Sequence, residues 1–243
     1  MKKVALLVAF VLVATSVLAA DPSKIIVKYD VFSGYGEAVI TALKAKWPTA
    51  TITSYSGATW PTFDSQLVSG TWDIVIVEAH NYPGTATQYQ HMADWYNKKI
   101  GPLFYADWSM NNGNSSMLVT AMGGSVPTSV PMTTPPAPHY AWATTHPICS
   151  GITNWTYGNP GYRVAGQRMP WTTAVPVTGW TTTQTPSQGG IMVAADKHSV
   201  ISGYFPSLNT TQPATLWSNI LDFMWGSSGV APQSLGKVKA LYK

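Results

Sequence analysis

Charge is scarce in this chain: Asp, Glu, Lys and Arg together make up 10% of 243 residues. Setting aside Lys2 and Lys3 leaves 12 basic residues against 10 acidic ones, close to neutrality. The remaining Lys and Arg do not cluster, which excludes the electrostatic footprint of a nucleic-acid binder. Cysteine is nearly missing as well. Cys149 is the only one, so no intramolecular disulfide can form, and stability must come from the core. Beyond the first twenty residues no apolar run approaches the length of a membrane span. A Gly-x-Ser-x-Gly nucleophile elbow is absent too.

What is present begins with an address. Lys2 and Lys3 form a positive start, Val4 to Val17 an apolar stretch, and Val17-Leu18-Ala19-Ala20 a small-residue exit. That order predicts a secretory signal peptide over 1–20, cleaved after Ala19 or Ala20, and hence a secreted, periplasmic or surface protein. The ~220 residues that remain suffice for one large domain. Their surface must be built from Thr, Ser, Asn, Gln and aromatic residues, with 11 Trp and 12 Tyr in the chain. Such a surface suits neutral, hydroxyl-rich ligands, and it equally suits an uncharged extracellular protein with no ligand. Asn114, Asn154 and Asn209 open formal glycosylation sequons, which carry little weight behind a bacterial-type signal peptide.

The first half alternates. Lys24 to Asp30, Thr49 to Tyr55, Ile74 to Glu78 and Pro102 to Tyr105 read as strands. Between them, Gly36 to Trp47, Trp60 to Val68 (closed by Gly70) and Thr85 to Lys99 read as helices, the last with Lys98 and Lys99 in its final turn. This spacing predicts βαβ units and a mainly parallel sheet. Pro127 to Pro138 reads as a long extended loop, and Arg163 to Gln188 as irregular or hairpin material rich in Thr, Pro and Trp. Gly190 to Ala194 and Val200 to Tyr204 are expected strands, with His198 on a solvated turn between them. Ala214 to Trp225 is expected to be an apolar helix. Residues 227–243 read as a Ser/Gly/Pro linker and a short basic tail, either frayed or recognised by export machinery.

In order and spacing, residues 24 to 226 resemble the class I glutamine amidotransferase-like fold, in its ThuA-like (trehalose-utilisation) branch. The carriers are SGTWDIVIVEAHN, GPLFYADWSM, THPICSGI and the late strand leading to GYFPS, with His146-Pro147-Ile148 and Gly151 matching best. The resemblance implies an α/β, three-layer, flavodoxin-like sheet with helices on both faces and a Pro/Thr/Trp-rich insertion. It also implies a nucleophilic Cys on the turn after a central strand, with a downstream His and Glu. Here that turn falls in Ala106-Asp107-Trp108-Ser109 and has no Cys. Cys149 sits instead among Ile148 and Ile152, without the basic setting a thiolate needs. Glutamine hydrolysis is therefore not expected.

Ligands of open parallel sheets bind beyond the carboxyl ends of the strands. The residues expected there are Asp30, Glu78, His80, Asp107 and Trp108. Convergent carboxylates with a His could act as acid and base or bind a cation; equally, they could cap helices and orient loops. Ser109 lacks the glycines of a nucleophile elbow. Ser33-Gly34-Tyr35-Gly36 could cradle a phosphate, but a tight turn suits it better because Val39 stands at the third fingerprint position. Trp155, Tyr157, Tyr162, Trp171 and Trp180 could stack on sugars or form a local core.

The leading expectation is a secreted, non-catalytic domain binding a carbohydrate or another extracellular protein at the strand-end residues. No catalytic residue, cofactor, metal, nucleic acid or membrane span is expected. Two alternatives stand: a secreted hydrolase of carbohydrate or ester bonds working through those carboxylates and His80, and a surface protein exported by its tail.

Overall fold

The protein is described by a computed structural model that covers residues 20–30, 37–80, 82–131, 138–156, 164–208 and 212–226. Residues 1–19 of the expected signal peptide, the expected Ser33 to Gly36 turn, Tyr157, Tyr162, Asn209 and the basic tail lie outside these residues.

Four β-α repeats form the first half. Strands β1 (Lys24–Tyr29), β2 (Thr51–Ser56), β3 (Ile74–Ala79) and β4 (Leu103–Asp107) alternate with helices α1 (Glu37–Lys46), α2 (Trp60–Ser69) and α3 (Ala86–Asn97). A short helix α4 (Ser116–Ala121) follows, in a stretch without long periodicity. The second half is made of short strands: β5 (Thr128–Pro131), β6 (Pro138–Ala141), β7 (Trp155–Thr156), β8 (Val164–Arg168), β9 (Val175–Pro176), β10 (Thr178–Gly179), β11 (Ile191–Val193) and β12 (Val200–Ser202). Helix α5 (Pro213–Gly226) closes the described chain.

The central sheet has seven strands in the order β2-β1-β3-β4-β12-β11-β9. Its first five are parallel, while β11 runs antiparallel to both β12 and β9. The architecture is thus α/β with a mixed, mostly parallel sheet. Alternation along each strand builds two cores. Ile25, Val27, Ile74, Ile76 and Phe104 face α1 and α5, whose Val39, Leu43, Leu216, Trp217 and Ile220 cover them. Ile26, Val75, Val77, Leu103 and Tyr105 face the other way, under Phe63, Leu67, Tyr89, Met92 and Leu118 of α2, α3 and α4. All six residues of β3 are buried, as its unbroken run of β-branched side chains requires.

Several expected boundaries shift for local reasons. The turn Pro127 to Pro138 is not all loop: β5 pairs with β8, and β6 starts at Pro138. Strand β5 is an edge and Pro138 is the first residue of β6, places where a proline without an N–H is tolerated, and the register breaks at Pro131. Lys98 and Lys99 fall just past α3 rather than within its last turn. Lys98 caps the helix and Lys99 adopts a left-handed φ of 52°. Gly70 ends α2 in an extended conformation; a side chain there would strike the Trp72 indole and the Gln66 carbonyl. Strand β12 stops at Ser202, two residues early, because the Ser202 hydroxyl turns to the Tyr204 backbone. His198 does lie on the β11–β12 hairpin, but half-buried. Among the described residues no helix is long and apolar enough to cross a membrane.

Candidate functional site

The three strands that were expected to deliver site residues are adjacent. In β1, β3 and β4 the register places Tyr29 beside Glu78, Glu78 beside Ala106, and Ala79 beside Asp107. Asp30, Glu78, His80, Asp107 and Trp108 therefore meet at the carboxyl edge of the sheet. They are not a solvent-facing rim, however. Asp30, Glu78, His80 and Asp107 are 6%, 0%, 4% and 2% exposed, and only Trp108 is partly open.

Burying three carboxylates is costly unless each is hydrogen-bonded, and each is. Asp30 accepts from the backbone N–H of His80 through Oδ1 and from that of Tyr82 through Oδ2, the latter at 3.0 Å. Glu78 accepts from the Ser207 N–H at 2.9 Å and the Ser207 hydroxyl at 2.5 Å. Trp217 of α5 donates to that same hydroxyl at 3.0 Å. Asp107 accepts from the Ser109 N–H at 2.7 Å and the Tyr89 hydroxyl at 2.5 Å. Both oxygens of all three carboxylates are thus taken up by neighbours within the protein.

Strand alternation separates these groups. Glu78 shares a face with Ile74 and Ile76 and lies under α5. Asp107 shares a face with Leu103 and Tyr105 and lies under α3. On that second face sits a residue the sequence reading passed over, Lys28. It is fully buried, with Nζ 3.6 Å from Asp30 Oδ2 and 5.2 Å from the centre of the Trp60 ring. At 3.6 Å this is an ion pair rather than a hydrogen bond. Tyr89 and Ser207 were passed over too. In sequence, Lys28 looks like one polar position near the end of a strand, and Ser207 lies 129 residues from Glu78.

Burial sets the protonation chemistry. Desolvation pushes Glu78 up to about 8, against the opposing pull of its Ser207 hydrogen bonds. Desolvation likewise raises Asp107 to about 7, with Tyr89 and Ser109 pulling it down. Lys28 is lowered by desolvation, opposed by the charges of Asp30 and Asp107. The His80 ring is packed edge-on against Trp108, with centroids 4.6 Å apart, and against Phe205 at 5.1 Å.

The described residues of the β3–α3 loop are tied down at several points. His80 and Tyr82 donate to Asp30, the Tyr82 carbonyl accepts from the Trp60 indole, and the Gly84 N–H donates to the Tyr89 hydroxyl at 2.8 Å. Held this way, the loop leaves Tyr82 49% exposed past the end of β3, while partly open Trp108 follows the neighbouring strand β4.

The other candidates separate cleanly. Cys149 is buried, its thiol pushed up to about 11 by desolvation, and it points at the Val177 carbonyl at 3.6 Å. That is a packed thiol rather than a nucleophile. Ser109 is buried in the turn after β4, where its N–H serves Asp107. Trp155 and Trp180 are core residues that enclose His139 together with Tyr204, each ring within 4.7 Å of the imidazole. Desolvation lowers His139 to about 3, so it stays neutral. Trp171 is only partly buried, against Trp142. Among the described residues no group of three or more His, Cys, Asp or Glu is arranged to hold a metal ion.

No family model and no curated protein matches the chain. Among solved structures it is similar to a cold-adapted β-galactosidase from Rahnella sp. R3. The TM-score is 0.56 at 9% identity, over 85% of this chain and 31% of the other. The chain therefore spans about a third of that protein, and the likeness is one of fold.

Proposed function

We propose that this is a secreted, non-catalytic amidotransferase-like domain that binds a neutral, hydroxyl-rich ligand, a carbohydrate, at the carboxyl edge of its sheet. The observation that carries the reading is the saturation of Asp30, Glu78 and Asp107: every oxygen a hydrolase would use as acid, base or nucleophile already accepts a hydrogen bond from the fold. The turn after β4, where the resemblance puts a nucleophilic Cys, holds Trp108 and the buried Ser109. Support for the amidotransferase-like, flavodoxin-like arrangement comes from the β2-β1-β3-β4 order with helices on both faces. Secretion rests on the pattern of residues 1–20 alone. The β-galactosidase likeness, at 9% identity, carries no substrate across.

A ligand with no charge fits the open groups at this edge. Tyr82 and Trp108 offer aromatic faces of the kind sugars stack on, and the Tyr82 backbone is already held by Asp30 and Trp60, which lowers the entropy lost on binding. The test is a glycan panel read by thermal shift and titration calorimetry. Binding that is lost in Tyr82→Ala and Trp108→Ala is expected; no response to any glycan would sink the reading.

The hydrolase alternative draws on one observation, the near-neutral protonation of Glu78 and Asp107. Turnover of chromogenic glycosides or esters that disappears in Asp107→Asn would favour it. No described residue bears on the exported-tail alternative.

A further inference from the structure

We infer that the chain self-associates through the outer edge of β2, two copies pairing antiparallel across a two-fold axis so that their seven-stranded sheets join. Among the described residues no strand pairs with that edge, because β2 ends the sheet and meets only β1. Exposed edge strands attract other strands, and natural sheets blunt them with charge, proline, bulges or shortness. β2 has none of these guards. Thr51–Ser56 reads TITSYS, six residues without a charge or a proline. Its register against β1 runs unbroken from Thr51 to Ser56, so no bulge twists the edge away. The opposite edge of the same sheet is guarded: β9 is two residues long and one of them is Pro176.

A second copy is the occupant the chemistry favours. A two-fold axis normal to the sheet preserves faces, so only pairings between positions of like parity are allowed. Centred on Thr53, such a pairing sets Thr53 against Thr53, Thr51 against Tyr55 and Ile52 against Ser54. The first is a cross-strand threonine pair, the second a β-branched–aromatic pair; both are stabilising types, and no like charges oppose. The flanking surface agrees. Helix α2 lies over this edge, with Phe63 edge-on to Tyr55 at 6.2 Å. Its exposed residues Pro61, Thr62, Ser65, Gln66, Val68 and Ser69 carry no charge, and Val68 is 61% exposed; the helix's one charged residue, Asp64, is half-buried and pairs with His91 at 2.9 Å. A copy related by the axis would bring this neutral face against its own equivalent. Such an interface is isologous and closes at two.

Sedimentation velocity over a range of concentrations tests the proposal, together with Thr53→Lys, which places two ammonium groups opposite each other on the axis. The parent is expected to be a dimer, and Thr53→Lys a monomer with an unchanged circular dichroism spectrum. Thr53→Cys gives a second readout, since Cys149 is buried and cannot cross-link. Mild oxidation should yield a covalent dimer on a non-reducing gel, whereas Thr182→Cys, exposed and far along the chain, should not. A parent that stays monomeric throughout overturns the proposal, whatever covers the edge instead. So does a dimer that survives Thr53→Lys, or cross-linking no greater at Thr53 than at Thr182.

Discussion

Glu78 shows most directly how burial governs chemistry in this protein. Unfolded, its carboxyl has an ordinary value of 4.5; folded, it stands at about 8. Between those values folding takes up a proton, so the contribution of Glu78 to stability is greatest at low pH and declines as pH rises toward 8. Asp107 acts with the same sign between its ordinary 3.8 and about 7. His139, lowered from 6.5 to about 3, acts with the opposite sign below 6.5, so melting temperature should fall most clearly as pH is raised from 6.5 to 8. Glu78→Gln keeps the shape and an acceptor for the Ser207 N–H while removing the ionisation, so its melting curve should depend less on pH than the parent's. Equal slopes would mean that Glu78 does not carry the proton. The strand-end carboxylates were legible as positions because a polar residue ending an apolar run is a strong local signal. Their duties were not, because the donors that saturate Glu78 and Asp107, Ser207 and Tyr89, come from other elements.

At the scale of elements, the repeats of the first half were legible because each helix and strand is long enough to show its period. Strands of two or three residues, such as β7, β9 and β10, lie below the reach of any periodicity. They exist only because neighbours supply the pairing. Helix α3 shows local and tertiary signals agreeing. Thr85 caps it and Gln88 returns the bond, with the Thr85 N–H donating to Gln88 Oε1 at 2.8 Å. The box also holds the end of the loop that presents Tyr82. Thr85→Ala should cost about 1 kcal/mol in urea denaturation. It should also weaken any ligand that stacks on Tyr82, and a loss of stability with unchanged affinity would show that the cap steadies the helix alone.

For the molecule as a whole, stability without disulfides rests on two cores on either side of one sheet, and Cys149 lies inside the first of them. Its thiol should be inert toward a disulfide reagent in the native protein and react at the rate of unfolding when denaturant is added. Fast native reaction would mean that the Pro147–Cys149 turn opens locally, apart from the core.

The bond from Glu78 to Ser207 also sets an order of events. Strand β3 sits near the middle of the sheet, yet its glutamate finds its donors only when residues near the end of the described chain arrive, and β4 acquires its outer neighbour only from β12. A nascent chain lacking these late residues would hold a desolvated carboxyl with nothing to bond and an open sheet edge beside it. Folding should therefore wait until Val200 to Trp217 is available, and a chain shortened before Val200 is expected to give the circular dichroism of an unfolded polypeptide. In the secreted protein we propose, which would cross a membrane as an unfolded thread, this lateness is useful: the buried bond that completes the fold also keeps it from completing too soon.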